Sequence, residues 1–240
     1  MFKKIVEFIK SNFLIEKEKL SNIDLMCITD EYECFNYLYG DFILDDFVTF
    51  GKKNYLNKDY EDFVFNDLDY FNVYSILNEN TLYKFINDKI KNGEKVDFLN
   101  LASGAGKLVI FANIFYKLNS CMAVENIFEL FELSKHIAYK IFENENYTNL
   151  LQNTDISFQN ESILNVNLEP FNVILIDYNN NNINFNEILE NKIKNECKKG
   201  TMIVKIIDPF EESVCLKLLK AKIFKNDKKN NFFVYYYLVE

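Results

Sequence analysis

The sequence predicts an α/β domain in which a mostly parallel sheet, covered by helices, is closed by an antiparallel strand. Three observations carry this expectation. From Thr81 onward, short apolar runs alternate with segments of helical period, the pattern of a parallel sheet whose crossovers are helices. The chain finishes "AKIFKNDKKNNFFVYYYLVE", two β-rich runs joined by a short polar loop at residues 226–231; that loop is too short for a parallel crossover and makes a hairpin. The first apolar run is followed by Gly104 and Gly106, two of only six glycines in 240 residues.

Taken in order, Phe2 to about Tyr39 reads as helices, with Ile5, Val6, Ile9 and Phe13 on one face. The opening "MFKKIVEFIKSNFLIEKEK" is interrupted by Glu7 and Lys10 and has no small-residue cleavage site, which favours an amphipathic helix over a signal peptide. The acidic, aromatic stretch from Asp59 to Tyr74 follows neither period. A solvated face is its plain reading, and a docking surface for a Lys-rich substrate the other. Residues 1–74 are thus expected to be an extension and residues 75–240 the α/β domain.

Within that domain, Thr81 or Asn80 is expected to cap a helix carrying Leu82, Phe85, Ile86 and Ile90. Strands are expected at Val96–Leu101, Cys121–Glu125, Ile156–Asn160, Asn172–Asp177 and Thr201–Ile207. Helices follow at about Lys107–Lys117, around Ile127 to Ile141, and near Phe185–Cys197, the last stopped by Gly200.

Composition excludes several classes. At 49% hydrophobic residues the chain fills a core. All 27 basic side chains are Lys, Trp is absent, and Asn, Phe, Tyr and Ile are abundant, the mark of an AT-rich coding sequence rather than of a mechanism. A net charge of -9 argues against a protein that grips nucleic acid by neutralising many phosphates. Five scattered cysteines with no Cys-x-x-Cys pair point to reduced thiols in an intracellular setting, nucleus or cytoplasm, without disulfides or zinc. No run of 18 apolar residues suggests a membrane span, and the acidic stretch lacks the spacing of a calcium loop. His136 lies beside the apolar face of its helix and reads as a surface residue.

The glycine pair carries the chemistry. A Gly-rich turn between a strand and a helix lets a ligand approach the backbone, and the free N–H groups at the helix start favour electron-rich groups. Gly-x-Gly alone is weak; Glu125, about 20 residues on at the end of the next apolar run, strengthens it, because a carboxylate there can accept both ribose hydroxyls of a nucleoside. Complementing a helix N-terminus is the other reading of Glu125. A dinucleotide loop needs a third glycine, and position 109 is Val.

These features together resemble class I S-adenosylmethionine-dependent methyltransferases over about Ser75 to Glu240. Within that group the segment Asn100-Leu101-Ala102-Ser103-Gly104-Ala105-Gly106-Lys107 is similar to the cofactor loop of the non-SET histone-lysine methyltransferases of the disruptor-of-telomeric-silencing type. So is "MAVENIFELFELS", with Glu125 at its strand end, and "LNENTLYKFI" resembles the segment leading into that domain. The resemblance implies a Rossmann-like, seven-stranded sheet with an antiparallel last strand. S-adenosyl-L-methionine would be the cofactor, held by Glu79, Thr81, Asn100, Ser103, Gly104, Gly106, Glu125 and, at the adenine, Glu161 of "QNESIL". It places Asp177 and Tyr178 of "VILIDYNNN" at the reaction centre, with methyl transfer to a protein nitrogen, histone lysine being one candidate.

The residues themselves leave other readings open. Asn160 and Glu161 also suit a polar strand exit, and Asp177 and Tyr178 a turn cap before an Asn-rich loop. Asn100 stands where the family has an acid, which turns a charge-assisted bond to the cofactor's ammonium into a neutral one. Ala102 stands where the family has a glycine, at a cost of order 1 kcal/mol if its φ is positive. A degenerate fold serving as a binding or scaffold subunit, and a small-molecule methyltransferase, are therefore the alternatives.

Overall fold

The computed structural model describes residues 22–39, 68–152, 155–178, 183–210, 215–225 and 231–240. Helix α1 is Asn22–Tyr39, α2 Tyr70–Leu77 and α3 Asn80–Lys91. The sheet domain continues with β1 Asp97–Leu101, α4 Lys107–Phe115, β2 Ser120–Glu125, α5 Phe128–Glu143, the single turn α6 Glu145–Thr148 and β3 Ile156–Asn160. It ends with β4 Val173–Ile176, α7 Ile183–Glu196, β5 Met202–Ile206, β6 Leu216–Lys225 and β7 Asn231–Val239.

The seven strands lie in the order β3-β2-β1-β4-β5-β7-β6. Strands β1 to β5 pair in parallel, β7 pairs antiparallel with both β5 and β6, and so six strands run one way and β7 the other. The order reverses at β1 and β4, which puts the carboxyl ends of those neighbours beside a crevice, the place where open α/β sheets bind ligands.

Strand alternation divides the core between the two faces. Phe98, Cys121, Ala123, Leu175, Val204, Val234 and Tyr236 pack with α2, α3, α4 and α5. Leu99, Leu101, Val124, Ile176, Ile203 and Tyr237 pack on the other side with Leu189 and Ile193 of α7. Cys34, Phe35, Leu38 and Tyr39 of α1 and Leu68 and Tyr70 belong to the first of these clusters, so the N-terminal residues described share one core with the sheet.

Two local expectations need correction. Glu79, rather than Asn80 or Thr81, caps α3: its backbone is extended (φ -61, ψ 132) and its carboxylate accepts the Thr81 N–H at 2.7 Å. A carboxylate with one more methylene than Asp reaches the same orphan donors, and Thr81 is left inside the first turn. The end of the acidic stretch is core rather than a solvated face. Asp69 caps α2 through the Asn72 N–H at 2.7 Å, and Leu68, Tyr70, Asn72 and Val73 are buried. Residues 59–67, like Ile5, Val6, Ile9 and Phe13, lie outside the described residues. His136 is exposed, as its position beside the apolar face suggested. Cys34, Cys121, Cys197 and Cys215 are free thiols.

Glu31 of α1 makes the fold pH-sensitive. Burial, with a smaller push from Asp30, raises its carboxyl from 4.5 to about 7, against the pull of a hydrogen bond with Tyr70. Between those values the folded chain keeps a proton that the unfolded chain releases. The stability from this group is therefore complete below about pH 4.5 and is lost as pH rises to about 7. After discounting for solvent screening, the change is roughly 1–2 kcal/mol. Urea unfolding at about pH 5 and about pH 8 measures it, and Glu31→Gln is expected to flatten the difference.

Candidate functional site

The loop between β1 and α4 is built around three residues in the left-handed region. Ala102, Gly104 and Gly106 have φ of 54°, 54° and 79°. Gly106 is also the residue before α4, in the left-handed region, and a Cβ on it would meet Ser134 Cβ at 3.1 Å and Phe158 Cε1 at 3.4 Å. Glycine is required there twice over, by conformation and by the close packing of loop against α5 and β3. The loop is knitted back to the sheet through Ser103 N–H to Val124 O at 3.0 Å and closed by Gly106 N–H to Ser103 O at 2.9 Å.

Ala102 confirms the sequence's concern: its Cβ sits in the left-handed region. Replacing it with glycine should relieve about 1 kcal/mol of strain, read as a later denaturation midpoint for Ala102→Gly. An unchanged or earlier midpoint would show that the Cβ makes compensating contacts.

Glu125, the last residue of β2, is 4% exposed. Its Oε2 accepts the Gly104 N–H at 2.8 Å and its Oε1 the Ile127 N–H at 2.9 Å. Burial raises its carboxyl above the ordinary value, and the N–H groups of Ile127, Gly104 and Asn126 pull it back. A carboxylate has about four acceptor positions, so three N–H groups leave room for a further donor.

Two more polar groups line the loop without partners. Asn100 is fully buried; its amide nitrogen makes only long contacts, 3.4 Å to Leu101 O and 3.5 Å to Leu175 O, and its Oδ1 has none. Ser103 Oγ is likewise buried and unpaired. Orphaned buried polar atoms are uncommon and costly, and these two lie within four residues of each other, at the end of β1 and in the loop that follows it.

Asp177 and Tyr178 follow β4 directly. The Asp177 N–H donates to Leu101 O at 3.1 Å, which ties this segment to the end of β1 where the loop begins. Tyr178 packs on Phe185, ring centres 4.5 Å apart. The structure thus brings Asn100, Ser103, Gly104, Gly106, Glu125, Asp177 and Tyr178 to adjacent carboxyl ends of β1, β2 and β4. Glu79 is buried and spends one oxygen on its cap, and the role of Thr81 there is its backbone N–H. Glu161 is engaged at the exit of β3, where its Oε1 accepts the Ser162 N–H at 2.7 Å and the Asn165 amide at 2.9 Å. These bonds hold its carboxyl below the ordinary range. Among the described residues no group of His, Cys, Asp and Glu could hold a metal ion, and no helix is long and apolar enough to cross a membrane.

Two contributors escape a reading of the sequence. The Tyr39 hydroxyl of α1 donates to Ala105 O at 3.2 Å, and Lys107 Nζ donates to Leu68 O at 2.9 Å while lying over the rings of Phe35 and Tyr39. The N-terminal segment therefore braces the loop, a long-range contact with no local signature.

The fold has counterparts among solved structures. An RNA methyltransferase from Salinibacter ruber, in complex with S-adenosyl-L-homocysteine, matches with a TM-score of 0.52 at 13% identity, over 72% of this chain and 94% of that one. Magnesium protoporphyrin IX methyltransferase from Synechocystis PCC 6803, with bound SAM, matches with a TM-score of 0.48 at 7% identity, over 82% and 97%. A putative methylase from Haemophilus influenzae gives 0.49 at 15% identity, over 67% and 89%. No family model matches the sequence, and no curated protein does. At these identities the likeness is one of fold. The strand order, the reversed β7 and the Salinibacter match together make this the Rossmann-like methyltransferase fold.

Proposed function

We propose that this chain is an S-adenosyl-L-methionine-dependent methyltransferase. The observation that carries the reading is the Glu125 carboxylate, buried at the end of β2 and bound to the Gly104 N–H of the glycine loop. Loop and carboxylate are locked together in the arrangement that a nucleoside needs, with backbone on one side and a paired acceptor for ribose hydroxyls on the other. The residues present fit the cofactor. Glu125 would take the ribose, Gly104 and Gly106 would admit close approach, and Asn100 Oδ1 and Ser103 Oγ would gain the partners they lack within the chain. Glu79, Thr81 and Glu161 remain candidates for the methionine and adenine ends by resemblance. The match to an RNA methyltransferase carrying S-adenosyl-L-homocysteine supports the same reading through the fold.

Bound there, the cofactor supplies an electrophilic methyl group. The chain's own part is positioning and exclusion of water: the sheet ends, Asp177 and Tyr178 orient an acceptor and deny it solvent. A protein nitrogen, histone lysine included, is the acceptor implied by the resemblance of the loop and strand ends. Two of the solved counterparts are an RNA methyltransferase and a magnesium protoporphyrin IX methyltransferase. A scaffold role is the second reading, favoured by the strained Ala102.

Incubation with S-adenosylmethionine carrying a labelled methyl, followed by separation of protein, RNA and low-mass fractions of a cell extract, tests the activity. Label in one fraction is expected. No label in any, from a protein that binds the cofactor, would favour the scaffold.

A further inference from the structure

The apolar strand β5 holds one charged side chain, Lys205, and the sheet buries it to 1% exposure. Its register partners are Ile176, the residue that ends β4 just before Asp177, and Tyr235 of β7. Val204 and Ile206 face the other core, so Lys205 lies on the α7 side, with Ile176, Tyr178 and Phe210. Its Nζ stands 5.2 Å from the centre of the Phe210 ring. Among the described residues no carboxylate forms an ion pair with it. Burial, only partly offset by the charge of Asp208, pushes its ammonium down to about 8. A buried cation with no ion-pair partner costs stability that a methionine of the same length would not.

A second irregularity adjoins it. Ile207, the next residue but one, has φ of 79°, a conformation that β-branched residues rarely adopt. Its N–H is held by Phe233 O at 2.7 Å. The turn carries the chain back so that Phe210 covers Lys205, with the Phe210 N–H donating to the Tyr237 hydroxyl at 3.1 Å. Backbone strain and a desolvated amine thus lie side by side at the end of β5, next to the end of β4 that Asp177 and Tyr178 follow, and such pairs concentrate at functional sites.

We propose that Lys205 is a catalytic residue that contacts the methyl acceptor, and that this acceptor is a hydroxyl group. The proposal rests on the methyltransferase reading and sets its substrate class. A lysine substrate would bring its ammonium into a dry site that must also accept a sulfonium, and like charges repel strongly at low dielectric. A hydroxyl presents the opposite need, because its proton must leave as the oxygen attacks, and a nearby amine that titrates close to working pH suits that task. In the step, the O–H bond breaks and its proton passes to the neutral Lys205 amine. The oxygen's electron pair forms the C–O bond to the methyl carbon, the S–C bond breaks, and its pair stays on sulfur as a neutral thioether. Lys205 returns the proton to water before the next turnover. The titratable groups around it are Asp208 beyond its own strand, Tyr235 and Tyr237 of β7, and Asp177 and Tyr178 after β4. Burial raises both β7 tyrosines above their ordinary value, so they stay neutral where Lys205 titrates.

Lys205→Met tests this directly. The variant is expected to match or exceed the parent in thermal midpoint, to bind S-adenosyl-L-homocysteine within about threefold, and to lose methyl transfer by about a hundredfold or more. The label transferred by the parent chain is expected in methyl ether linkage, in the RNA or the low-mass fraction, whichever holds the hydroxyl. Transfer by Lys205→Met within about threefold of the parent, or label recovered as methylated lysine, overturns the proposal. Should the variant not fold, the intact chain decides. With ¹³C-labelled lysine, NMR titration is expected to show Lys205 about one pH unit lower in the protein saturated with S-adenosylmethionine than with S-adenosyl-L-homocysteine, because only the former carries the sulfonium charge. Equal values overturn it. Failure of both cofactors to bind removes the methyltransferase reading and this proposal together. Failed Lys205 readouts with normal cofactor binding remove the proposal alone.

Discussion

Glu125→Ala is expected to lose affinity for S-adenosyl-L-homocysteine by at least about a hundredfold and stability by about 2 kcal/mol. The first figure follows from two hydroxyl hydrogen bonds to a charged acceptor in a buried site, each contributing roughly 1.5–3 kcal/mol. The second is smaller than the bonds themselves suggest. Removing the carboxylate strands the N–H groups of Gly104 and Ile127, but it also removes the cost of burying the carboxyl, which already shows in its raised titration. Calorimetric titration and urea unfolding of the same variant separate the two effects. A folded Glu125→Ala that binds as the parent does would leave Glu125 as a loop brace alone.

The second large effect is at Gly106. Gly106→Ala places a Cβ in the left-handed region and 3.1 Å from Ser134 Cβ, on a helix start hemmed in by Phe158 and Ile110. Conformational cost of roughly 1–2 kcal/mol and overpacking of a similar size combine to about 2–3 kcal/mol of lost stability. Gly93, with φ of 77° and nothing within 4 Å of its would-be Cβ, is the internal control. There alanine should cost only the conformational share. Equal losses at the two positions would mean that the packing of the loop against α5 and β3 contributes nothing.

Much of this architecture was legible because its elements announce themselves locally. β3 falls on the residues anticipated, Ile156–Asn160, and β1, β2, β4 and β5 lie within one residue of expectation at each end, since short apolar runs bounded by polar residues fix strand limits, whereas β6 begins at Leu216, five residues before the run read as its strand. The hairpin of β6 and β7 was legible from the length of its loop, and the left-handed backbone at Gly104 and Gly106 from the glycines themselves, whereas at Ala102 it was signalled only by the glycine of the family it resembles. What stayed hidden depends on distant partners. The cap of α3 passed to Glu79 because a longer acid did the work usually assigned to Asn or Thr. Leu68 and Tyr70, embedded in a stretch rich in acids, are buried because α4 and Phe35 of α1 lie over them, as the ring contacts of Tyr70 with Phe35 and Phe111 show. The brace from Tyr39 to Ala105 spans 66 residues, and no local pattern encodes it.

The substrate side divides in the same way. In the proposed acceptor site, Asp177 and Tyr178 follow β4, a strand whose end is visible in the sequence. Lys205 reaches the same end of the sheet from β5, and only the register of Ile176 with Lys205 brings the two together.

The central claim is that the loop from Asn100 to Gly106 and the carboxylate of Glu125 form a nucleoside-cofactor site. Isothermal titration of the intact chain with S-adenosyl-L-homocysteine tests it most directly. One site per chain with a dissociation constant on the order of 1–100 μM is expected, abolished in Glu125→Ala. No heat of binding up to about millimolar ligand, from a folded chain, would contradict it.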